Sequence, residues 1–344
     1  MIIENAKISY VCSILPSKKI NNSDNQNFSQ RVKEKIIRIS SISQRYVLDR
    51  DKNESLVLLF KKAALYTLEK LKWNKSEIDG IIVVSQSHEY RFPATSIILQ
   101  NELGLPKKCF AYDINMGCSA YTYGLFSAMN HINQFCKKIL LFCGDSINDF
   151  VYPKNQSVAF LFSDAASCTA IEYEPKNINL FHFYTDGSRD NAIIVLDGGS
   201  KNPIKKCSFD EYVDINGNLN NRSCMIMNGL DVFNFSTIEV PKNILDMLNI
   251  QGINIDNIDL FFFHQANKLA LDEIKRKLNI EENKFIMNIE KYGNASCTSI
   301  PLLMTEIQKI ENKKSLLVGF GVGLSICAVY IENLYCETEL LFNS

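Results

Sequence analysis

The sequence predicts an α/β protein made of two related halves, with parallel strands covered by helices. Three observations lead there. Short apolar runs alternate with amphipathic stretches along most of the chain, the mark of strands and helices taking turns. Ile78-Asp79 precedes the apolar run 81–84, just as Ile258-Asp259 precedes the run 260–263. Cys118 stands 19 residues before Lys137-Lys138 and the run ILLFCG, and Asn294 stands the same 19 residues before Lys313-Lys314 and the run SLLVGF. A repeat that aligns strand, small-residue turn and helix without a gap is read as duplication, with one half at 1–173 and the other at 174–344. Two βαβ-type halves related by an approximate two-fold axis pack as layers, with helices over the sheets.

The elements follow in order. Residues 55–72 are expected to be helical, 80–85 (GIIVVS) a buried strand and 108–115 another. A helix over 118–136 leads to a strand at 138–144, and 158–173 supplies a strand around the turn FSDAAS. In the second half a helix is expected at 232–250, a strand at 258–263, a helix at 266–278 and a strand at 284–289. A helix at 297–311 then precedes strands at 315–320 and 324–332, the last ending the core. The polar stretches 16–30 and 201–222, rich in Asn, Ser, Lys and Asp, read as surface loops or flaps.

Composition narrows the function. The 344 residues are 46% hydrophobic and 22% charged, with a formal net charge of −1, so no global field favours nucleic acid or anionic lipid. No run approaches the roughly 20 apolar residues of a spanning helix. MIIENAKISY has no basic segment followed by a long apolar run, so no secretory leader is expected. Eleven cysteines without a CxxC pair suit reduced thiols in the cytoplasm, and no metal site is expected.

Four places carry candidate chemistry. Cys118 follows the strand FAYDINM and opens a helix, where unpaired N–H groups favour the reactive thiolate. Small neighbours, Gly117 and Ser119-Ala120, leave the sulfur approachable. His264 ends the apolar strand IDLFFF, a position that faces a cleft, although a histidine satisfied by backbone groups is the plainer reading. Asn294 is a turn residue on its own, but the repeat pairs it with Cys118, and a two-fold brings equivalent turns to one cleft. Residues 319–324, GFGVGL, alternate glycines after a strand; the loop lacks the Lys-Ser/Thr of a P-loop and suits an oxyanion hole of backbone donors. Phe162 and Phe233, with Phe92, are bulky enough to shorten a pocket or equally to belong to the core.

NMGCSA around Cys118, HQAN at 264–267, YGNAS at 292–296, GFGVG at 319–323 and FPATS at 92–96 resemble, in order and spacing, the signatures of β-ketoacyl-acyl-carrier-protein synthase III. The resemblance runs over nearly the whole chain. It implies a thiolase fold, layered α-β-α-β-α, and a homodimer. It also implies acyl transfer from a thioester carrier to Cys118, then decarboxylative Claisen condensation with malonyl-acyl-carrier protein. On this resemblance His264 and Asn294 bind the malonyl thioester carbonyl, and the N–H groups of Cys118 and Val322 form the oxyanion hole. Phe92 would cross the dimer interface to close the partner's acyl pocket. No cofactor is implied beyond the phosphopantetheine of coenzyme A or carrier protein. The family's adenine-sandwiching tryptophan and arginine align with Lys35 and Gln156, which favours a carrier-protein donor over acyl-CoA. Its carrier-docking helix is matched in part by Lys268, Lys275, Arg276 and Lys277, although Leu269 replaces the principal arginine.

Other readings share some of these residues. An acyltransferase of the same fold would move the acyl group from Cys118 to an oxygen or nitrogen nucleophile without losing CO₂. A cysteine hydrolase shares the order Cys…His…Asn but not the local signature. Ser87 stands where hydroxymethylglutaryl-CoA synthase is acidic, and Cys327 does not fit thiolase's second cysteine. A non-catalytic partner subunit would have no need of all three polar residues.

Overall fold

The computed structural model describes residues 1–343. In the first half the strands are β1 (Ala6–Leu15), β2 (Gly80–Val84), β3 (Phe110–Ile114), β4 (Lys138–Asp145) and β5 (Ala165–Tyr173). They lie in the order β3-β2-β4-β5-β1, parallel as far as β4 and antiparallel from there. In the second half β6 (Asn179–Thr185), β7 (Leu260–Phe263), β8 (Lys309–Gly321) and β9 (Ser325–Phe342) take the order β7-β8-β9-β6 with the same sense at each step. Phe285, bridged to Phe261, stands where β3 stands in the first half.

The repeated sequence anchors meet physically. The Asp79 carboxylate accepts from the N–H groups of Lys137 (2.7 Å) and Lys138 (3.1 Å), and Asp259 accepts from Lys314 N–H at 2.9 Å. In each half the aspartate before one parallel strand thus satisfies the start of its neighbour, fixing their register.

Alternation along the strands builds the layers. Ile81 and Val83 face one side and pack with α2 (Leu56–Leu71) and α3 (Thr95–Leu103); Ile82 and Val84 face the other and pack with α4 (Ala120–His131). Leu317 shares that central layer with α4 and with α7 (Ser299–Met304), while Leu316 and Val318 face α5 (Gly229–Gln251) and α6 (Lys268–Leu278). The layers therefore run helix, sheet, helix, sheet, helix, as expected. α1 (Gln30–Ser40) lies outside them on an exposed face.

Several expectations fail for physical reasons. The strand at 284–289 is a single bridge followed by a helical turn, Ile289–Tyr292. The helix at 297–311 stops at Met304, because 309–310 pair with 336–337 and draw the chain into β8. The last strand runs on to Phe342, its residues 337–342 pairing with β1 and tying the two halves into one sheet. The helix at 118–136 ends at His131, where the Asn133 carboxamide accepts from Phe135 and Cys136 N–H. Residues 158–161 are turns and Phe162 is a single bridge to Asn294 before β5 begins. The stretch 16–30 contains a strand, Lys18–Asn21, paired with Gln44–Val47. The stretch 201–222 contains a hairpin, Tyr212–Val213 with Leu219–Asn220, and Arg222 anchors it by three hydrogen bonds of 2.9–3.2 Å to Asp197.

Candidate functional site

Cys118 lies in the turn between β3 and α4, under the loop that joins β8 to β9. Two glycines make the approach possible. At Gly321 a Cβ would lie 2.6 Å from the Cys118 Cβ and 3.1 Å from Sγ, and its φ of +149° is one that side chains disfavour. At Gly117 a Cβ would meet the Val322 side chain at 2.9 Å. Ser325 pins the two segments together, its hydroxyl 2.8 Å from Ser119 Oγ and donating to Val322 O at 2.9 Å. The result aims the N–H groups of Val322 and of Cys118 itself at the sulfur.

The electrostatics of this sulfur overturn one expectation. Burial pushes the Cys118 thiol up to about 11, and the charge of Asp145 adds to the rise; the Val322 N–H, the Ser296 hydroxyl and Cys118's own N–H oppose it. The resting group is a neutral thiol. A helix start favours a thiolate, but here desolvation and the neighbouring Asp145 charge outweigh it.

His264 ends β7, its N–H donating to Val318 O at 2.9 Å. Its ring stands edge-on to Phe320, centroids 5.4 Å apart at 84°. It is only 2% exposed, and burial drives the imidazolium down to about 3, so the ring is neutral at any physiological pH. Gln265 is held on both sides, donating to Phe263 O at 2.9 Å and accepting from Asn288 N–H at 3.2 Å. Asn267 caps α6 by accepting from Ala270 N–H at 2.9 Å.

Asn294 is clamped through its backbone. Its N–H donates to Leu161 O and its C=O accepts from Ser163 N–H, each at 2.9 Å. Gly293 makes this close pass with φ +70°; a Cβ there would stand 3.1 Å from Leu161 O. The Asn294 Oδ1 accepts from Ser296 N–H at 2.9 Å, which sets the amide so that its NH₂ is the donor group; one N–H donates to Ala266 O at 3.4 Å, leaving the second for a ligand.

Cys118, His264 and Asn294 line one cavity of about 80 Å³, with Phe162 and Phe320. Cys118 and Phe162 also line a second, of about 500 Å³, with Ile147, Ile193, Val195 and Met225 among its walls. Three residues remote in sequence thus meet around one sulfur, which opens onto a larger, mainly apolar chamber. Phe92 is 82% exposed and, like Phe233, lines neither cavity of this chain.

The basic helix face is less free than its composition suggests. Lys268 pairs with Asp272 at 2.7 Å, Lys275 with Glu282 at 2.5 Å, Arg276 with Glu273 at 2.7 Å and Lys277 with Glu273 at 3.7 Å. Lys35 and Gln156 are exposed.

Two further residues at the sulfur escaped sequence reasoning. Asp145 is buried at the end of β4, its Oδ1 accepting from Gln86 N–H at 2.7 Å and Ser85 Oγ at 3.1 Å. Ser296 Oγ donates to Asp145 Oδ2 at 2.7 Å, and Ser296 lines the larger cavity together with Cys118. The available signal was the same one that marks His264, an ionisable residue closing an apolar run, in ILLFCGD as in IDLFFFH.

Comparison with known proteins bears on this arrangement. Residues 112–187 match the model for 3-oxoacyl-[acyl-carrier-protein] synthase III, and residues 248–333 match that for its C-terminal region. A putative 3-oxoacyl-[acyl-carrier-protein] synthase 3 from Campylobacter jejuni is 32% identical over 98% of both chains. A β-ketoacyl-[acyl-carrier-protein] synthase III from Streptococcus agalactiae is 30% identical over 93% of this chain and 97% of its own. The crystal structure of a 3-oxoacyl-(acyl-carrier protein) synthase from Burkholderia xenovorans superimposes with a TM-score of 0.92 at 33% identity, covering 100% of this chain and 98% of the other.

Proposed function

Because the chain belongs to the 3-oxoacyl-acyl-carrier-protein synthase III family of condensing enzymes, we propose that its acyltransferase chemistry runs through Cys118, with His264 and Asn294 as the donors that drive decarboxylation. The observation that carries this reading is the shared cavity: one thiol facing two neutral polar side chains.

The acyl group arrives as a thioester. The Cys118 sulfur attacks its carbonyl, and the N–H groups of Cys118 and Val322 receive the developing oxyanion. The acyl chain lies in the chamber walled by Ile147, Phe162, Ile193 and Met225. A malonyl thioester then occupies the place of the departed carrier. Its carbonyl accepts from the imidazole N–H of His264 and the amide of Asn294. Both are neutral, so they strengthen as the enolate forms on loss of CO₂ and do little for the ground state. Phe320, beside His264, keeps that corner apolar and favours departure of an uncharged molecule. The carbanion attacks the acyl-enzyme and frees the Cys118 sulfur.

The carrier protein docks on α6 beside the cleft, where it must compete with Asp272, Glu273 and Glu282 for the basic side chains. Phe92, exposed on this chain, reaches the acyl chamber of a second copy in a homodimer. Neither Lys35 nor Gln156 can sandwich an adenine, which makes acyl-carrier protein the better donor than acyl-CoA. No helix among the described residues is long and apolar enough to cross a membrane; the likeness to the β-ketoacyl-acyl-carrier-protein synthase III relatives supports a cytoplasmic place of work. Measuring CO₂ from a malonyl thioester in the presence of an acyl donor tests the reading. Stoichiometric CO₂ with 3-oxoacyl product supports condensation. Acyl transfer to an oxygen or nitrogen acceptor without CO₂ replaces it with the simpler transferase.

A further inference from the structure

If Cys118 rests as a neutral thiol, its proton must go somewhere before or as the sulfur attacks. His264 is a poor acceptor, since burial holds its imidazolium down to about 3. Asp197, on the wall of the larger cavity, is committed to Arg222 by paired hydrogen bonds. Asp145 is different. It is 1% exposed, and no lysine or arginine among the described residues lies within ion-pair distance of it. Three donors converge on it instead: Ser85 Oγ, Gln86 N–H and Ser296 Oγ. That shell supports a carboxylate in the absence of a counter-ion.

We propose that Asp145 is the terminal proton acceptor for Cys118, reached through the Ser296 hydroxyl, which donates to Asp145 Oδ2 at 2.7 Å and lines the same cavity as the Cys118 thiol. This rests on the acyl-transfer reading. In the loading step the Cys118 S–H bond breaks and the proton passes to Ser296 Oγ. The Ser296 proton passes to Asp145, and the sulfur forms its bond to the acyl carbon. The carbon–sulfur bond to the carrier breaks, and the departing thiolate takes the proton back along the same hydroxyl. Atoms and charge balance without another reagent.

Two features support the relay over a purely structural role. Ser296 is held with φ +47°, a conformation costly for a side-chain-bearing residue, and buried to 1% between Asn294 and Asp145. A fixed negative charge beside a nucleophilic thiol also opposes ionisation, and burial together with Asp145 does raise this thiol. A charge there for electrostatics alone would hinder the enzyme; one that accepts the proton is neutralised as the sulfur attacks. The other titratable groups facing Asp145 are Cys118, Cys143, Cys297 and His88, the last paired with Asp113 at 3.3 Å.

The test follows single-turnover acyl loading against pH by intact mass in the native protein, Asp145→Asn and Ser296→Ala, with the pH dependence of Cys118 alkylation by iodoacetamide measured in parallel. With the acceptor removed, Asp145→Asn should load about a hundredfold more slowly at neutral pH with an unchanged KM for the donor. Its alkylation midpoint should nevertheless shift to lower pH, because a repelling charge has gone. A merely structural or electrostatic role cannot yield an easier ionisation together with a slower reaction. Ser296→Ala, which keeps the carboxylate, should slow loading similarly, and it decides the matter if Asp145→Asn does not fold. Undiminished loading in the variants beside a loading native protein overturns the relay alone. A native protein that takes an acyl group from no thioester donor overturns the acyl-transfer reading itself.

Discussion

Replacing Gly321 with alanine separates two reasons for a glycine beside the nucleophile. The new Cβ would lie 2.6 Å from the Cys118 Cβ and 3.1 Å from its sulfur, where carbon atoms ordinarily stop at about 3.5–4.0 Å. Relief requires a shift of about 1 Å, and a misplacement of that size costs on the order of a hundredfold in rate. The φ of +149° adds a backbone cost of about 1–3 kcal/mol. Gly104 provides the control. Its φ is +66°, and a Cβ there would meet nothing within 4 Å, so alanine costs only about 1–2 kcal/mol of conformational strain. Thermal melts should show both variants destabilised. Single-turnover loading of Cys118 should fall about a hundredfold in Gly321→Ala and stay at the native rate in Gly104→Ala. Loading at the native rate in Gly321→Ala would refute the close-approach argument, and loss of loading in Gly104→Ala would show that backbone strain anywhere has the same effect.

Other outcomes follow from the same geometry. Alkylation of Cys118 should climb with pH toward a midpoint of about 11, and at neutral pH the exposed Cys207 should be modified ahead of it; peptide mapping of the labelled protein decides. His264→Ala should lower CO₂ release from the malonyl thioester about a hundredfold while leaving acyl loading nearly intact, read by separate loading and decarboxylation assays. Because His264 is held at about 3 against an ordinary 6.5, the unfolded chain takes up its proton first as pH falls. Its contribution to stability should be full above 6.5 and lost progressively toward 3, a slope that denaturant titrations should find reduced in His264→Gln. Changing Lys275 and Arg276 together to glutamate should raise the KM for carrier-protein substrates and leave the turnover of a pantetheine thioester unchanged.

Much of this architecture was legible because its signals are local. The apolar runs at 81–84 and 315–320, the Asp-and-Lys-Lys anchors and the small turn at 117–120 each have one physical reading, and together they foretold two like halves. What escaped depends on distant partners. Residues 305–311 carry no strand signal of their own, and 309–310 become β8 only because 336–337 lie alongside. Likewise, 337–342 extend the final strand because β1 offers a free edge. At the site, Cys118 and Asn294 stood out by position in the repeat, and His264 by closing an apolar strand. The protonation of Cys118 did not, because desolvation is set by atoms from β4, the GFGVGL loop and the turn after Asn294, none of them adjacent in sequence. Asp145 was passed over for the same reason, since its importance comes from Ser296, 151 residues away.

The most direct measurement is the mass of the intact protein, with peptide mapping, after exposure to acyl-carrier-protein donors and then to malonyl-acyl-carrier protein. A single acyl adduct on the peptide containing Cys118, discharged in step with CO₂ release, is the outcome that the converging residues require. An adduct on any other residue, or one on Cys118 that malonyl-acyl-carrier protein leaves in place, would contradict it.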